Sequence, residues 1–373
     1  MAFQFESVAA IGPVLQRDFD VGLPDIGLLI GLYLLPGVVI ALPGGAIGKV
    51  LGDKRTVLLG CTIMFIGNVI MAFVDVWAAQ IGGRLLTGVG GVILNVITAK
   101  MVADWFAEGE MSTAMALFLN SWPFGIAVAL LVLPPLGVAE GYKTVFLLAA
   151  DFVGAAALLL AFAYKDRPSD AGPGRSTRME RPTILLVTVA GLIWGFFNTA
   201  VAMLFSFGIN ALMEKGWSIT SGGSIVSLVL WLTILMVPLG GVTADRIKGR
   251  GGWLIAVTTV VAAILLFAAS RTTYPVTVLI AFGLIGAFPA GAMMALPASV
   301  LKAHNRAGGM AVFYTVFYLS MSLGPLIAGQ LAGYTGRAAT ALDFGAGLLI
   351  ACPILLGIFL FLREGAVANE ITI

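Results

Sequence analysis

Runs of roughly twenty apolar residues follow one another along almost the whole chain, separated by short polar turns. They cover 1–15, 27–48, 56–74, 78–102, 112–136 and 144–164, then 182–208, 222–244, 252–270, 275–299, 309–333 and 341–362. In hydrocarbon only helices and closed barrels satisfy every backbone polar group, and a barrel strand alternates lipid-facing and lumen-facing residues. These runs are continuous, so the pattern predicts an all-α membrane protein with twelve spans in two groups of six. The interruption, KDRPSDAGPGRSTRMER over 165–181, reads as a linker from its charge, Pro and Gly. The predicted division is 1–164, linker 165–181, and 182–373.

The first run is shorter than the others. Fifteen residues make a helix of about 22 Å against a hydrocarbon core of about 30 Å. Glu6 interrupts it and no charged leader precedes it, so it does not read as a signal peptide. A shift of 196 residues aligns Gly12–Lys54 with Gly208–Arg250 without a gap, placing Gly27 on Gly223 and Gly44 and Gly45 on Gly240 and Gly241. By that register the first helix lacks about fifteen residues relative to its partner. Lys and Arg then set orientation. One set of loops and ends, including 49–55, 165–181 and 245–250, carries fifteen, and the opposite set carries five (Arg17, Lys143, Lys215, Arg271 and Arg337). The excess predicts a cytoplasmic linker and cytoplasmic termini, in the plasma membrane or a bacterial inner membrane.

Composition narrows the functional classes. Hydrophobic residues make up 60% of the chain and charged ones 11%, with a net charge of +2. A soluble domain carries about 25% charged residues, so most of this surface faces lipid. No basic run suggests nucleic acid. Cys61 and Cys352 lie inside apolar runs and the single histidine, His304, in a polar loop, which predicts neither disulfide nor metal site. No cofactor or nucleotide motif is visible, so an ion or solute gradient would have to supply energy.

Two glycine-rich turns carry a family resemblance. The turn after the second run holds Gly45, Lys49, Gly52, Asp53, Lys54 and Arg55; the turn after the eighth holds Gly241, Asp245, Arg246, Gly249 and Arg250. Both resemble the signature loop of the major facilitator superfamily, a glycine, three residues, Asp-Arg, then glycine and basic residues. The second copy keeps Asp245 and Arg246, whereas the first has Lys49 and Val50 there. The resemblance implies two six-helix bundles related by a pseudo-two-fold axis around a central cavity, with Gly45, Gly52, Lys54, Arg55, Gly241, Asp245, Arg246 and Arg250 in gating loops.

Charged groups inside a membrane are expensive and usually functional. Arg84 sits seven residues into the fourth span, sharing a helical face with Gly88, Gly91 and Asn95. GGRLLTGVGG also resembles the superfamily's fourth-helix motif, and the longer stretch to Phe106 is similar to the cyanate and nitroimidazole permease group. In the family that arginine is linked to substrate or proton coupling; the alternative is a structural arginine bonded to carbonyls. Glu6, beside Gln4, either titrates in the cavity or pairs with Arg84. Asp151 is a weaker candidate. Tyr33, Asn120, Trp122, Trp194, Asn198 and Tyr318 complete the expected site, and Pro123, Pro289 and Pro297 mark expected bends.

The expected activity is secondary active transport of a small solute by alternating access, with Arg84 favouring an organic or inorganic anion, by a symporter or antiporter, with protons as the candidate coupling ion, acting as a monomer. The alternatives are a drug or metabolite efflux pump and a transport-deficient membrane sensor or scaffold. A catalytic cluster is not visible beyond Glu6, Arg84 and Asp151, so an enzyme is not expected.

Overall fold

The computed structural model describes residues 1–40, 51–105, 111–164, 179–247, 251–302 and 305–371, and among these every regular element is helical. Among the described residues, eleven helical segments are long and apolar enough to cross a membrane. The first expected span is built differently, from two short helices, α1 (Ala2–Ala10) and α2 (Gly12–Phe19). It runs four residues beyond the apolar run. Ile11 leaves helical geometry at φ −118°, ψ 21°, and Pro13 has no N–H to return to Ala9, so the helix breaks there.

The rest of the first bundle is α3 (Leu23–Ile40), α4 (Asp53–Phe73), α5 (Trp77–Trp105), α6 (Met111–Glu140) and α7 (Tyr142–Ala163). The second bundle holds α8 (Arg181–Met213), α9 (Ile219–Arg246), α10 (Gly251–Ala269), α11 (Pro275–Ile285), α12 (Ala290–Ala295), α13 (Arg306–Thr335) and α14 (Ala339–Ile371). The tenth expected span is therefore broken into α11, α12 and a 3₁₀ turn at Pro297–Ser299, with Pro289 and Pro297 at the breaks. Pro123 behaves differently: it is carried inside α6 without interrupting it.

Helix ends repeat at the same 196-residue shift. Helices α3 and α9 begin at Leu23 and Ile219, and α4 and α10 end at Phe73 and Ala269. Asp20 and Gly216, again 196 apart, both turn through left-handed backbone at φ 53° and 87°. Glycine does so freely, and aspartate is among the few other residues that tolerate it.

Within the first bundle α4 packs on α5 and α7, and within the second α8 packs on α13 and α14. The bundles meet mainly along two helix pairs, α3 with α13 and α6 with α9. Small residues make both seams possible. A Cβ on Gly27 would strike the Pro325 carbonyl, and one on Gly223 would lie 2.6 Å from the Leu130 carbonyl. The two glycines matched by the repeat thus stand at equivalent contacts. Ser227 donates to the Ala127 carbonyl at 2.7 Å across the α6–α9 seam. On the outside, Phe162 (86% exposed) and Phe361 (76%) show which faces of α7 and α14 look to lipid.

Candidate functional site

Arg84 enters from α5 and is 1% exposed. A guanidinium removed from water needs its N–H groups met by acceptors, and backbone carbonyls, with two lone pairs each, can serve while keeping their helical bonds. Three do so here. Nε donates to the Leu29 carbonyl at 2.9 Å, Nη1 to Gln4 at 3.1 Å and Nη2 to Phe5 at 2.6 Å. The Tyr33 ring lies 4.5 Å from the guanidinium carbon and the Phe5 ring 5.7 Å. Arg84 therefore ties α1, α3 and α5 together at one point.

The glycines on its helical face explain how α3 comes so near. A Cβ at Gly88 would strike the Tyr33 carbonyl, and one at Gly91 would lie 2.5 Å from the Tyr33 hydroxyl. That hydroxyl donates to the Met1 carbonyl at 3.3 Å. Phe5 anchors a ring cluster with Tyr33 at 5.4 Å, Trp122 at 5.6 Å and Phe205 at 6.1 Å. Phe205 belongs to α8, so the cluster lies where the two bundles touch.

Glu6 is fully buried, and among the described residues neither carboxylate oxygen has a hydrogen-bond partner. The expected pairing with Arg84 is not formed among the described residues: the guanidinium spends its donors on carbonyls instead. Gln4 is also buried; its amide donates to the Met64 carbonyl at 3.5 Å while its Oε1 is unpartnered. The site thus holds a carboxyl that lacks a hydrogen bond, within electrostatic reach of the Arg84 cation.

The other expected residues form a second group. Asn95 donates from Nδ2 to the Tyr318 hydroxyl at 3.2 Å, joining α5 to α13. Phe317 lies 5.3 Å from Tyr318 and 6.5 Å from Trp194, ring centre to ring centre. Asn198 bonds within its own helix, to the Trp194 carbonyl at 2.8 Å. Asn120 is half-buried on α6, and Asp151 is exposed on α7, outside this group.

Of the gating-loop residues, Gly45 and Arg250 lie outside the described residues, as does the side chain of Asp245. Gly52 precedes α4, Lys54 donates to the Tyr164 carbonyl at 2.8 Å, Arg55 and Arg246 are exposed, and Gly241 lies 3.2 Å from where a Cβ on Gly291 would stand. Sequence reasoning named Asp53 in the first turn but passed over its pairing with Lys100, at 2.6 Å. It also passed over Gln16 and Asn210, joined between the bundles at 2.8 Å. Their signal was a pair of amides near equivalent helix ends.

The family model described as the Major Facilitator Superfamily matches residues 1–214 and again 183–371. Among relatives, the multidrug transporter mfsC of Aspergillus fumigatus is 23% identical over 63% of this chain, and the chain spans only 42% of its length. The hexuronate transporter of Bacillus subtilis is 23% identical over 92% of this chain and 87% of its own. The bovine lysosomal dipeptide transporter MFSD1 is 25% identical over 90% and 77%. A bacterial homologue of the human lysosomal transporter Spinster, solved inward-facing and occupied, superposes with a TM-score of 0.74 at 16% identity over 98% of this chain and 94% of its own.

Proposed function

The chain belongs to the major facilitator superfamily, and on that premise we propose that it is a secondary transporter of a small organic solute bearing a carboxylate. One observation carries the reading: the Nη1 and Nη2 donors of a buried Arg84 point at two neighbouring oxygens, those of Gln4 and Phe5. A carboxylate offers two oxygens to the same fork. Two relatives that align with most of this chain are named for hexuronate and dipeptides, both of which carry a carboxylate.

The remaining parts follow. Residues 1–164 and 182–373 form the two halves and 165–181 the cytoplasmic linker, with both termini cytoplasmic in a plasma or inner membrane. The halves rock about the α3–α13 and α6–α9 seams to alternate access. The protein works as a monomer, and Glu6, buried without a partner, carries the coupling proton. A buried carboxylate without a hydrogen bond is costly, which favours its protonated form. The likeness of α5 to the cyanate and nitroimidazole permease group adds cyanate, a small anion, and a neutral nitroimidazole to the solutes worth testing.

Proteoliposome uptake tests this. Labelled glucuronate and a dipeptide are offered with and without an inward proton gradient, beside a lipophilic cation. Carboxylate uptake that disappears in Arg84→Ala supports the reading. Transport of the lipophilic cation alone supports the second reading, a drug efflux pump, which the ring cluster of Phe5, Tyr33, Trp122 and Phe205 favours.

A further inference from the structure

The fork of Arg84 is filled by the protein itself. Its two Nη donors hold Gln4 and Phe5 of α1, whereas Nε holds Leu29 of α3 and the guanidinium rests on the Tyr33 ring. The α3 contacts would keep the guanidinium oriented if α1 moved away. The chain also breaks at one place nearby. Ile11 is non-helical, Gly12 follows, and Pro13 cannot supply an N–H to Ala9. Beyond the break, α2 has its own attachment: Gln16 accepts from Asn210 of α8.

We propose that α1 is a hinged arm, turning at Ile11–Gly12–Pro13, which the fork of Arg84 holds closed while α2 stays docked. Its release comes when a solute carboxylate takes the fork, so the Gln4 and Phe5 carbonyls occupy the solute's carboxylate position in the closed state. The trigger rests on the carboxylate reading above; the arm rests on geometry alone. The buried Glu6 rides on the arm, so opening would also give its two unpartnered oxygens access to water.

Three features make the hinge specific. The grip is made to backbone, so changing the side chains of Gln4 or Phe5 leaves it in place. It is bidentate, so a lysine, with a single compact charge, cannot reproduce it. The break needs Pro13, because another residue there could restore the missing helical bond.

Hydrogen exchange of this chain in lipid nanodiscs, without solute, tests the arm. In Arg84→Ala, loss of two charge-assisted bonds should speed exchange over residues 2–10 by about tenfold or more, with 14–19 unchanged. Pro13→Ala should do the opposite, slowing exchange around residues 8–13 and reducing uptake while solute binding persists. If Arg84→Ala fails to fold, Arg84→Lys and Pro13→Ala carry the test with the same expected directions. Exchange that changes equally on both sides of Ile11, or does not change in 2–10, overturns the hinge. Split exchange in a protein that takes up no carboxylate removes the trigger and leaves the arm standing.

Discussion

The Asn95 amide of α5 donates to the Tyr318 hydroxyl of α13 at 3.2 Å, a side-chain bond between the two bundles. The Tyr318 ring at the same time covers Gly37, where a Cβ would lie 2.6 Å from its carbons. Tyr318 is 4% exposed, so the bond forms away from bulk water. Tyr318→Phe keeps the ring and removes the hydroxyl, which should cost about 0.5–1.5 kcal/mol. Asn95→Ala should cost a similar amount, and the double variant should cost less than the sum. Thermal unfolding in detergent measures all three; strict additivity would show that the bond does not couple the bundles.

The seam glycines set two effects against each other. Alanine is favoured over glycine inside a helix by about 1 kcal/mol, but overpacking a close contact costs about 1–3 kcal/mol. At Gly27 and Gly223 an added methyl meets a carbonyl of the opposite bundle, so Gly27→Ala and Gly223→Ala should both lower thermal stability and slow transport. Gly82 is the control. Nothing stands within 4 Å of its Cβ position, and Gly82→Ala should leave stability unchanged or raised. A stabilised Gly27→Ala would mean that the seam has room to spare.

Glu6 has no hydrogen-bond partner among the described residues, and glutamine keeps its shape without a titratable proton. Glu6→Gln should abolish solute accumulation driven by a proton gradient while leaving exchange of labelled for unlabelled solute in place. Full gradient-driven uptake by the variant would remove Glu6 from coupling.

Asp75 lies in the turn between α4 and α5, where it accepts from the Tyr142 hydroxyl and the Lys143 ammonium, each at 2.7 Å. The bonds from Lys143 and then Tyr142 hold its carboxyl below the usual carboxylate range. A depressed folded value means that the stabilisation is present above the unfolded value and is lost as pH falls through the folded one. Asp75→Asn should therefore lower the melting temperature slightly at neutral pH and match the parent once Asp75 is protonated. Melting curves across the acid range check this, and an equal difference at every pH would rule it out. The pair is exposed, so the effect is small and should shrink further in high salt.

Eleven of the twelve expected spans and the 196-residue repeat were legible because hydropathy and glycine spacing are local properties of a chain that must satisfy its backbone within lipid. The face shared by Arg84, Gly88, Gly91 and Asn95 was legible for the same reason, since helical geometry alone puts them together. What fills that face was not. Pairing with Arg84 is one of the two roles the sequence offers Glu6, yet the guanidinium took the carbonyls of Gln4, Phe5 and Leu29, which every residue possesses and no side-chain pattern can advertise. The same holds for Asn95 with Tyr318 and Gln16 with Asn210, pairs separated by 223 and 194 residues. Such meetings depend on where two bundles cross, and crossing is decided by the packing of whole helices over small residues rather than by any one segment.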